Sequence, residues 1–286
     1  MHKPRVKLEK ACAKINLTLE VLGRRDDGYH EIASVMQAID LCDTLHFGLE
    51  DHIHLACNVP QLVSPNNLVF KAVRLLQDAT GSRLGTSVSL EKGIPLASGL
   101  GGGSSDAAVT LQAVNELWEL NLSREELRDI AASLGSDVPF FLCDGTTALV
   151  QGRGERATRL PRLVKTWVVL VKPPIEIANK TQEMYARLRP PHFSDGGYTR
   201  MMVEVIKKRE TIKAEMCHNV FYDIAFASLP GLDEYRLQFL AAGAPQVHLA
   251  GSGPALFSLV EGRAQGEDIY RRLKQDKVEV YLAETI

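Results

Sequence analysis

The sequence predicts an α+β protein built from two sandwich-like domains, and three features lead to that expectation. Strand-like and helical stretches alternate, but short turns join several strand pairs, which favours antiparallel hairpins over a doubly wound parallel sheet. A chain of 286 residues is long enough to bury two cores. A shift in composition near Pro161 divides it into residues 1–160 and 161–286.

Lys10–Leu22 is rich in β-branched and apolar residues and breaks at Gly23-Arg-Arg-Asp-Asp-Gly28, the pattern of a strand and turn. Glu31–Leu41 and Thr44–Leu49 read as extended, the first also compatible with a helix. Asn66–Asp78 sets Leu68, Val69, Ala72, Val73, Leu75 and Leu76 at helical spacing behind Pro65-Asn66. Ser87–Glu91 is a short strand, and Ala107–Leu120 a helix with Ser104, Ser105 and Asp106 as cap-type oxygens. Ser123-Arg-Glu-Glu126 is a capping box, opening a helix that runs to Leu134 before Gly135. Ala148–Leu160 reads as two short strands around Gly152-Arg-Gly154, and Thr166–Val171 as a buried strand closed by Pro173-Pro174. Helices are expected at Thr181–Leu188, Met201–Met216 and Leu232–Ala242. Strand Ala255–Val260, a helix around Asp268–Lys274 and strand Val278–Ala283 close the chain.

Composition excludes several classes. Apolar residues make up 45% and charged residues 24%, and the net charge of −2 offers no basic field for nucleic acid. Apolar runs such as Trp167–Val171 are too short to span a bilayer, and the first ten residues lack the apolar core of a signal peptide. Cys12, Cys42, Cys57, Cys143 and Cys217 are scattered and never spaced C-x-x-C, which predicts reduced thiols, a cytoplasmic setting and no disulfide or zinc framework. His52 and His54 share a strand face without further ligands, so no metal centre is expected. Lys207–Lys213 reads as a solvated helix face and Cys143 as a packed residue.

The stretch that carries chemistry is Pro95-Leu-Ala-Ser-Gly-Leu-Gly-Gly-Gly-Ser-Ser-Asp106. Gly99, Gly101, Gly102 and Gly103 permit backbone angles that a Cβ resists, and let main-chain amides converge on an anion. A glycine loop feeding a helix start combines unpaired N–H donors with the positive dipole end, which suits a polyphosphate. No Gly-Lys-Ser/Thr follows, so it is not a Walker loop. Ser104 stands where a dinucleotide fingerprint would need its third glycine.

With its flanking segments, this loop resembles the family of small-molecule kinases named after galactose, homoserine, mevalonate and phosphomevalonate. Three segments match in order: Ala13-Lys-Ile-Asn-Leu17, Pro95–Ala107 and Leu249-Ala-Gly-Ser-Gly-Pro-Ala255. The resemblance implies a two-domain kinase fold with the active site in the cleft between domains, and ATP with Mg²⁺ as cofactors. It places the triphosphate on Pro95, Gly99, Leu100, Gly101, Gly102, Gly103, Ser104 and Ser105. The triple glycine, Gly28-Tyr-His-Glu31 and Gly135-Ser-Asp-Val-Pro-Phe140 resemble the branch that phosphorylates a cytidine diphosphate-linked methylerythritol in the non-mevalonate route to isoprenoids.

That branch implies Asp137 as catalytic base and Lys14 as its partner, with Asn16 on the same strand face as Lys14. It also implies that Tyr29 and His30 recognise cytosine, with Tyr185 as a second aromatic wall and Thr181 nearby, and that Gly251, Ser252 and Gly253 support the phosphates. Each residue has a plainer reading: a helix cap for Asp137, a surface lysine for Lys14, hairpin packing for Tyr29 and His30, and a simple turn for Gly251–Gly253. The rivals to the whole reading are a homoserine or mevalonate kinase of the same fold, a non-catalytic sensor, and an RNA-binding module. The triple glycine and Gly28-Tyr-His30 argue against the first, retention of Lys14 and Asp137 against the second, and near-neutral charge without a basic aromatic platform against the third.

Overall fold

The computed structural model describes residues 6–175, 179–276 and 278–286. Two long strands, β1 (Val6–Arg24) and β2 (His30–Glu50), open the chain around a turn at Gly28, whose φ of 84° favours glycine. They are followed by β3 (His54–Cys57), α1 (Leu68–Thr80), β4 (Gly85–Glu91), α2 (Gly102–Leu117), α3 (Arg124–Leu134) and α4 (Val138–Phe141). Next come β5 (Thr147–Gly152), β6 (Arg156–Arg159), β7 (Trp167–Lys172), α5 (Lys180–Ala186), α6 (Gly197–Lys207), β8 (His218–Asn219) and α7 (Tyr222–Ser228). The chain ends with α8 (Leu232–Ala241), β9 (His248–Leu249), β10 (Leu256–Val260), α9 (Arg263–Gln275) and β11 (Glu279–Glu284). The α+β expectation holds. Among the described residues, no helix is long and apolar enough to cross a membrane.

Local chemistry accounts for several boundaries. Asn67 caps α1 by accepting from the Val69 amide at 2.9 Å, and Gly81 closes that helix in the left-handed region. Ser123 and Glu126 form the expected reciprocal box at the start of α3. Other expectations need correcting. The two extended stretches within 31–49 are one strand, β2. Helix α2 begins at Gly102 rather than Ala107, with left-handed Gly101 as its N-cap, so Ser104, Ser105 and Asp106 lie inside it. The helix expected over Met201–Met216 ends at Lys207, where left-handed Arg209 turns the chain away, and Ala214–Met216 is a separate 3₁₀ turn. His52 sits in a bend, so only His54 belongs to a strand.

The cysteines also depart from expectation. Cys12 on β1 and Cys42 on β2 form a disulfide. Nothing in a separation of 30 residues betrays this, because the pairing follows from the strands running side by side. The cysteine pattern therefore does not support an all-thiol chain.

The chain falls into two compact units. The first gathers the described residues of Met1–Ala13, Leu41–Ile94 and Gly101–Asp144, and the second those of Lys14–Asp40, Pro95–Leu100 and Gly145–Ile286. A single division at 160/161 does not reproduce this grouping, because β1 and β2 are long enough to contribute to both units.

In the first unit the strand order is β3-β4-β2-β1. β2 runs antiparallel to β4, from Thr44 opposite Glu91 to Glu50 opposite Gly85, while β3 is parallel to β4. Leu45, Phe47, Val88 and Leu90 from the strands form one core with Val69, Val73, Leu76, Leu111, Val114, Leu127 and Val138 from the helices. In the second unit β5 pairs antiparallel with β2, β6 with β5, and β8 runs parallel to β1, with Thr18 opposite His218. A separate four-stranded sheet in the order β11-β7-β10-β9 packs against α9.

Beneath the start of α2 the first unit buries three charges. Lys92 Nζ donates to Asp43 Oδ2 and to Asp106 Oδ2, the latter at 2.7 Å. Asp43 Oδ1 accepts from the Gly93 and Ile94 amides at 2.7 and 2.8 Å, tying β2 to the segment after β4. The other oxygen of Asp106 is buried without a hydrogen-bond partner. Burial, opposed by the Lys92 ammonium and reinforced by Asp43, pushes the Asp106 carboxyl up to about 7. An unfolded Asp titrates near 3.9. Between those values the folded chain holds a proton that the unfolded chain has released. Asp106 therefore favours the folded state at low pH, and that contribution is lost as the pH rises through about 7. Asp106→Asn, which cannot ionise, is expected to gain melting temperature relative to the unchanged chain between about pH 5 and about pH 8. Paired calorimetric scans check this, and a constant difference would show that Asp106 is ionised throughout.

Candidate functional site

In the second unit Lys14 stands on β1 with only 3% of its surface exposed. Its backbone amide donates to Leu100 O at 2.8 Å, and its Nζ donates to Asn16 Oδ1 at 2.8 Å. Asn16 Nδ2 donates in turn to Ser34 Oγ at 2.9 Å, and Ser34 Oγ to Thr18 O at 2.6 Å. The two-residue spacing does put Lys14 and Asn16 on one face, as strand geometry requires.

Two glycine turns press against this pair. Gly99 has φ 91° and no room for a side chain, because a Cβ there would run into Ala250 O. Gly251 has φ 56°, and a Cβ on it would lie 3.0 Å from Gly99 O and 3.3 Å from Lys14 Nζ. The later turn is held by Gly253 N donating to Ala250 O at 2.8 Å, and Ala255 N donates to Ser98 O at 3.1 Å. Pro95 O accepts from Ser98 Oγ at 2.7 Å, which tightens the first turn. Asn219 Nδ2 donates to Leu249 O and Gly251 O at 2.9 and 2.8 Å. Sequence reasoning missed Asn219 and Ser34, since neither carries a local motif and both act through chain segments remote in sequence.

Thr181 Oγ1 lies 3.1 Å from Ser252 Oγ, so the start of α5 adjoins the later glycine turn. The Tyr185 ring centroid lies 5.3 Å from that of His30 and 4.8 Å from that of Phe221. Burial, then the Arg24 guanidinium, lowers the His30 imidazole from its ordinary value, which favours the neutral ring. Tyr29 is 55% exposed, and the Arg153 guanidinium lies 4.7 Å over its ring. A cavity of about 270 Å³ opens beside Asn16, lined also by His218, Asn219, Tyr222 and His248.

In the first unit, the amides of Gly102, Gly103 and Ser104 occupy the opening turn of α2, where no intrahelical acceptor exists. The Ser105 amide is already committed to Gly101 O at 2.9 Å, and its side chain is buried. The opening turn thus offers backbone donors at the positive end of a sixteen-residue helix. Asp137 is half-buried at the N-cap of α4, yet its side chain makes no capping bond. A cavity of about 630 Å³ in this unit is lined by Asp51, His52, Phe70, Arg74 and Arg83 among others, and by none of the sequence-predicted site residues. Among the described residues, no group of three or more His, Cys, Asp or Glu side chains could hold a metal ion.

Similarity to known proteins agrees with this geometry. Residues 67–145 match the GHMP kinases N terminal domain. The chain is 43% identical over 277 residues to a 4-diphosphocytidyl-2-C-methyl-D-erythritol kinase of Dehalococcoides mccartyi, covering 96% of this chain and 97% of the relative. A protein of the same name from Brevibacillus brevis is 39% identical, covering 93% and 91%. The crystal structure of a 4-(cytidine 5'-diphospho)-2C-methyl-D-erythritol kinase superposes with a TM-score of 0.81 at 32% identity, covering 98% of this chain and 99% of that one. A mevalonate kinase from L. major shares the fold, with a TM-score of 0.74 at 16% identity over 100% and 98% of the two chains. The chain belongs to the 4-diphosphocytidyl-2-C-methyl-D-erythritol kinases, within the GHMP kinase fold.

Proposed function

We propose that this chain transfers the γ-phosphoryl group of ATP to the tertiary 2-hydroxyl of 4-diphosphocytidyl-2-C-methyl-D-erythritol, on the non-mevalonate route to isoprenoid precursors. The observation that carries the reading is the convergence on Lys14 of three segments far apart in sequence. Its amide is bonded to Leu100, its ammonium lies against Gly251, and Gly99 touches Ala250. Residues 13–17, 95–100 and 249–255 are those through which the sequence resembles the family.

Asp137 is the proposed base and Lys14 its cationic partner. A loose phosphoryl-transfer transition state asks for alignment and charge stabilisation more than for a strong nucleophile. Asp137 then accepts the hydroxyl proton late, as the new P–O bond forms, while Lys14 and Asn16 orient the acceptor oxygen. The segment Pro95–Ser105 holds the triphosphate, chiefly through the first-turn amides of Gly102, Gly103 and Ser104, which have no intrahelical acceptor. A Mg²⁺ ion bound with the nucleotide would keep mostly phosphate and water ligands. Such an ion supplies neutralisation of phosphate charge. Tyr29 and Tyr185 offer faces to cytosine, and a neutral His30 ring can read its polar edge. Thr181, Ser252 and the Gly251 and Gly253 turn support the acceptor and its phosphates.

ADP release with MgATP should appear with the cytidyl-linked methylerythritol, and not with mevalonate, homoserine or galactose. Turnover with one of the others would overturn the acceptor assignment. Asp137→Asn is expected to lower kcat by about 10²–10⁴-fold with the ATP affinity nearly unchanged, and near-full turnover would remove Asp137 as base. Tyr29→Ala should raise the KM for the cytidyl acceptor roughly tenfold and leave that for ATP in place. An equal rise in both would count against the cytosine role.

A further inference from the structure

Lys180 opens α5 and stands out neither by motif nor by pattern. Its Nζ donates to Ala97 O at 2.9 Å and also to Gly253 O, so one ammonium spans the two glycine turns. Those turns, residues 95–100 and 251–253, contain no titratable side chain. Among the described residues, the charged groups acting on Lys180 from neighbouring elements are Lys14 on β1 and Lys172 at the end of β7, both cations. Lys172 is 8% exposed, and its Nζ donates to Pro173 O at 2.7 Å. The hydrogen bonds of Lys172 and Lys180 thus end on neutral carbonyl oxygens. Burial, then the positive fields of Lys14 and Lys172, pushes Lys180 down to about 8.

Ammonium ions kept out of water beside like charges are unfavourable unless an anion compensates them. Backbone carbonyls satisfy the hydrogen bonds of Lys180 but not its charge. From the bridge across the two turns and the like-charged neighbours, we infer that Lys180 is an anion-binding residue, which leaves its two carbonyls to donate to a phosphate oxygen. The inference rests on the proposed kinase reading for the identity of that phosphate, either the diphosphate of the acceptor or the terminal phosphate of ATP. Anion binding itself follows from the bridge across the two turns together with the neighbouring cations. Lys180 differs in this from Lys14, which supports the reacting hydroxyl. Among the described residues, the hydrogen-bond partners of Lys180 are the neutral carbonyls of Ala97 and Gly253.

Calorimetric titration with inorganic pyrophosphate at about pH 7 tests the site directly. Lys180→Gln should weaken binding on the order of tenfold, about 1.4 kcal/mol, and Lys180→Arg should restore most of it. Because the unchanged chain loses the Lys180 charge as the pH rises through about 8, its pyrophosphate affinity should fall between about pH 7 and about pH 9. That of Lys180→Gln should stay flatter. Equal affinities in the two chains, or identical pH profiles, would overturn the assignment. If the glutamine variant melts early, Lys180→Arg and the pH profile of the unchanged chain still decide, since arginine keeps its charge above pH 8. Steady-state kinetics separate the two sources. A raised KM for the acceptor alone identifies its diphosphate, and a raised KM for ATP or a lowered kcat identifies the nucleotide. If no acceptor turns over while pyrophosphate binding still depends on Lys180, the kinase reading fails and the anion site stands.

Discussion

The close approach of two backbone turns governs the second unit. Gly99 and Gly251 both lie in the left-handed region, and each sits where a Cβ would press on the other turn. This contact sets the position of Lys14, whose amide is bonded to Leu100 and whose ammonium rests against Gly251. It also sets the demand on Asn219, which ties Leu249 and Gly251 from behind. Main-chain atoms therefore fix where the side chains stand. A methyl group at either glycine would force the turns apart and move the lysine with them. The strain would fall on a pair of backbones that cannot relax independently.

The two units manage buried cations in opposite ways. Lys92 is held by two carboxylates, and the trio ties the start of α2 to β2 and the segment after β4. A pair of full carboxylates there would set negative charge beneath amides that otherwise favour an anion. With Asp106 raised to about 7, one of the two is readily neutralised at neutral pH, and the trio nears zero net charge. In the second unit Lys172 and Lys180 end instead on carbonyl oxygens, which bring no negative charge to them. One arrangement anchors structure near zero net charge, and the other leaves cations on neutral oxygens.

Much of this was legible in the sequence wherever the signal is local. The Ser123 box, the α1 face of Val69, Val73 and Leu76, and the β5–β6 hairpin around Gly152 follow from caps, periodicity and turn residues. The parity of Lys14 and Asn16 on β1 was equally readable. What was hidden depends on pairing between remote segments. The Cys12–Cys42 disulfide arises only once β1 and β2 lie together, and Lys180 gains its meaning from carbonyls at Ala97 and Gly253. The early start of α2 escaped because glycines at 102 and 103 argue locally against a helix, whereas Gly101 in the left-handed region and the buried apolar face of α2 stabilise one there. Discontinuous units escaped for a related reason: a strand of nineteen or twenty-one residues crosses any boundary drawn by composition.

Asp137 illustrates how local geometry tells whether a residue at a helix start caps that helix. Asn67 and Ser123, which do cap helices, have extended backbones that swing the side chain over the first amides. Asp137 has φ −83° and ψ −15°, nearly helical, and its side chain makes no such bond. Pro139 stands at the second helical position, where it has no N–H for a cap to accept. The four-residue α4 is held instead by Val138, Pro139 and Phe140, all buried. An aspartate that merely capped this turn would thus lack one of its two usual donors and the backbone angle to reach the other. Its carboxylate makes no capping bond to the helix that it starts, so a change there removes no cap from α4.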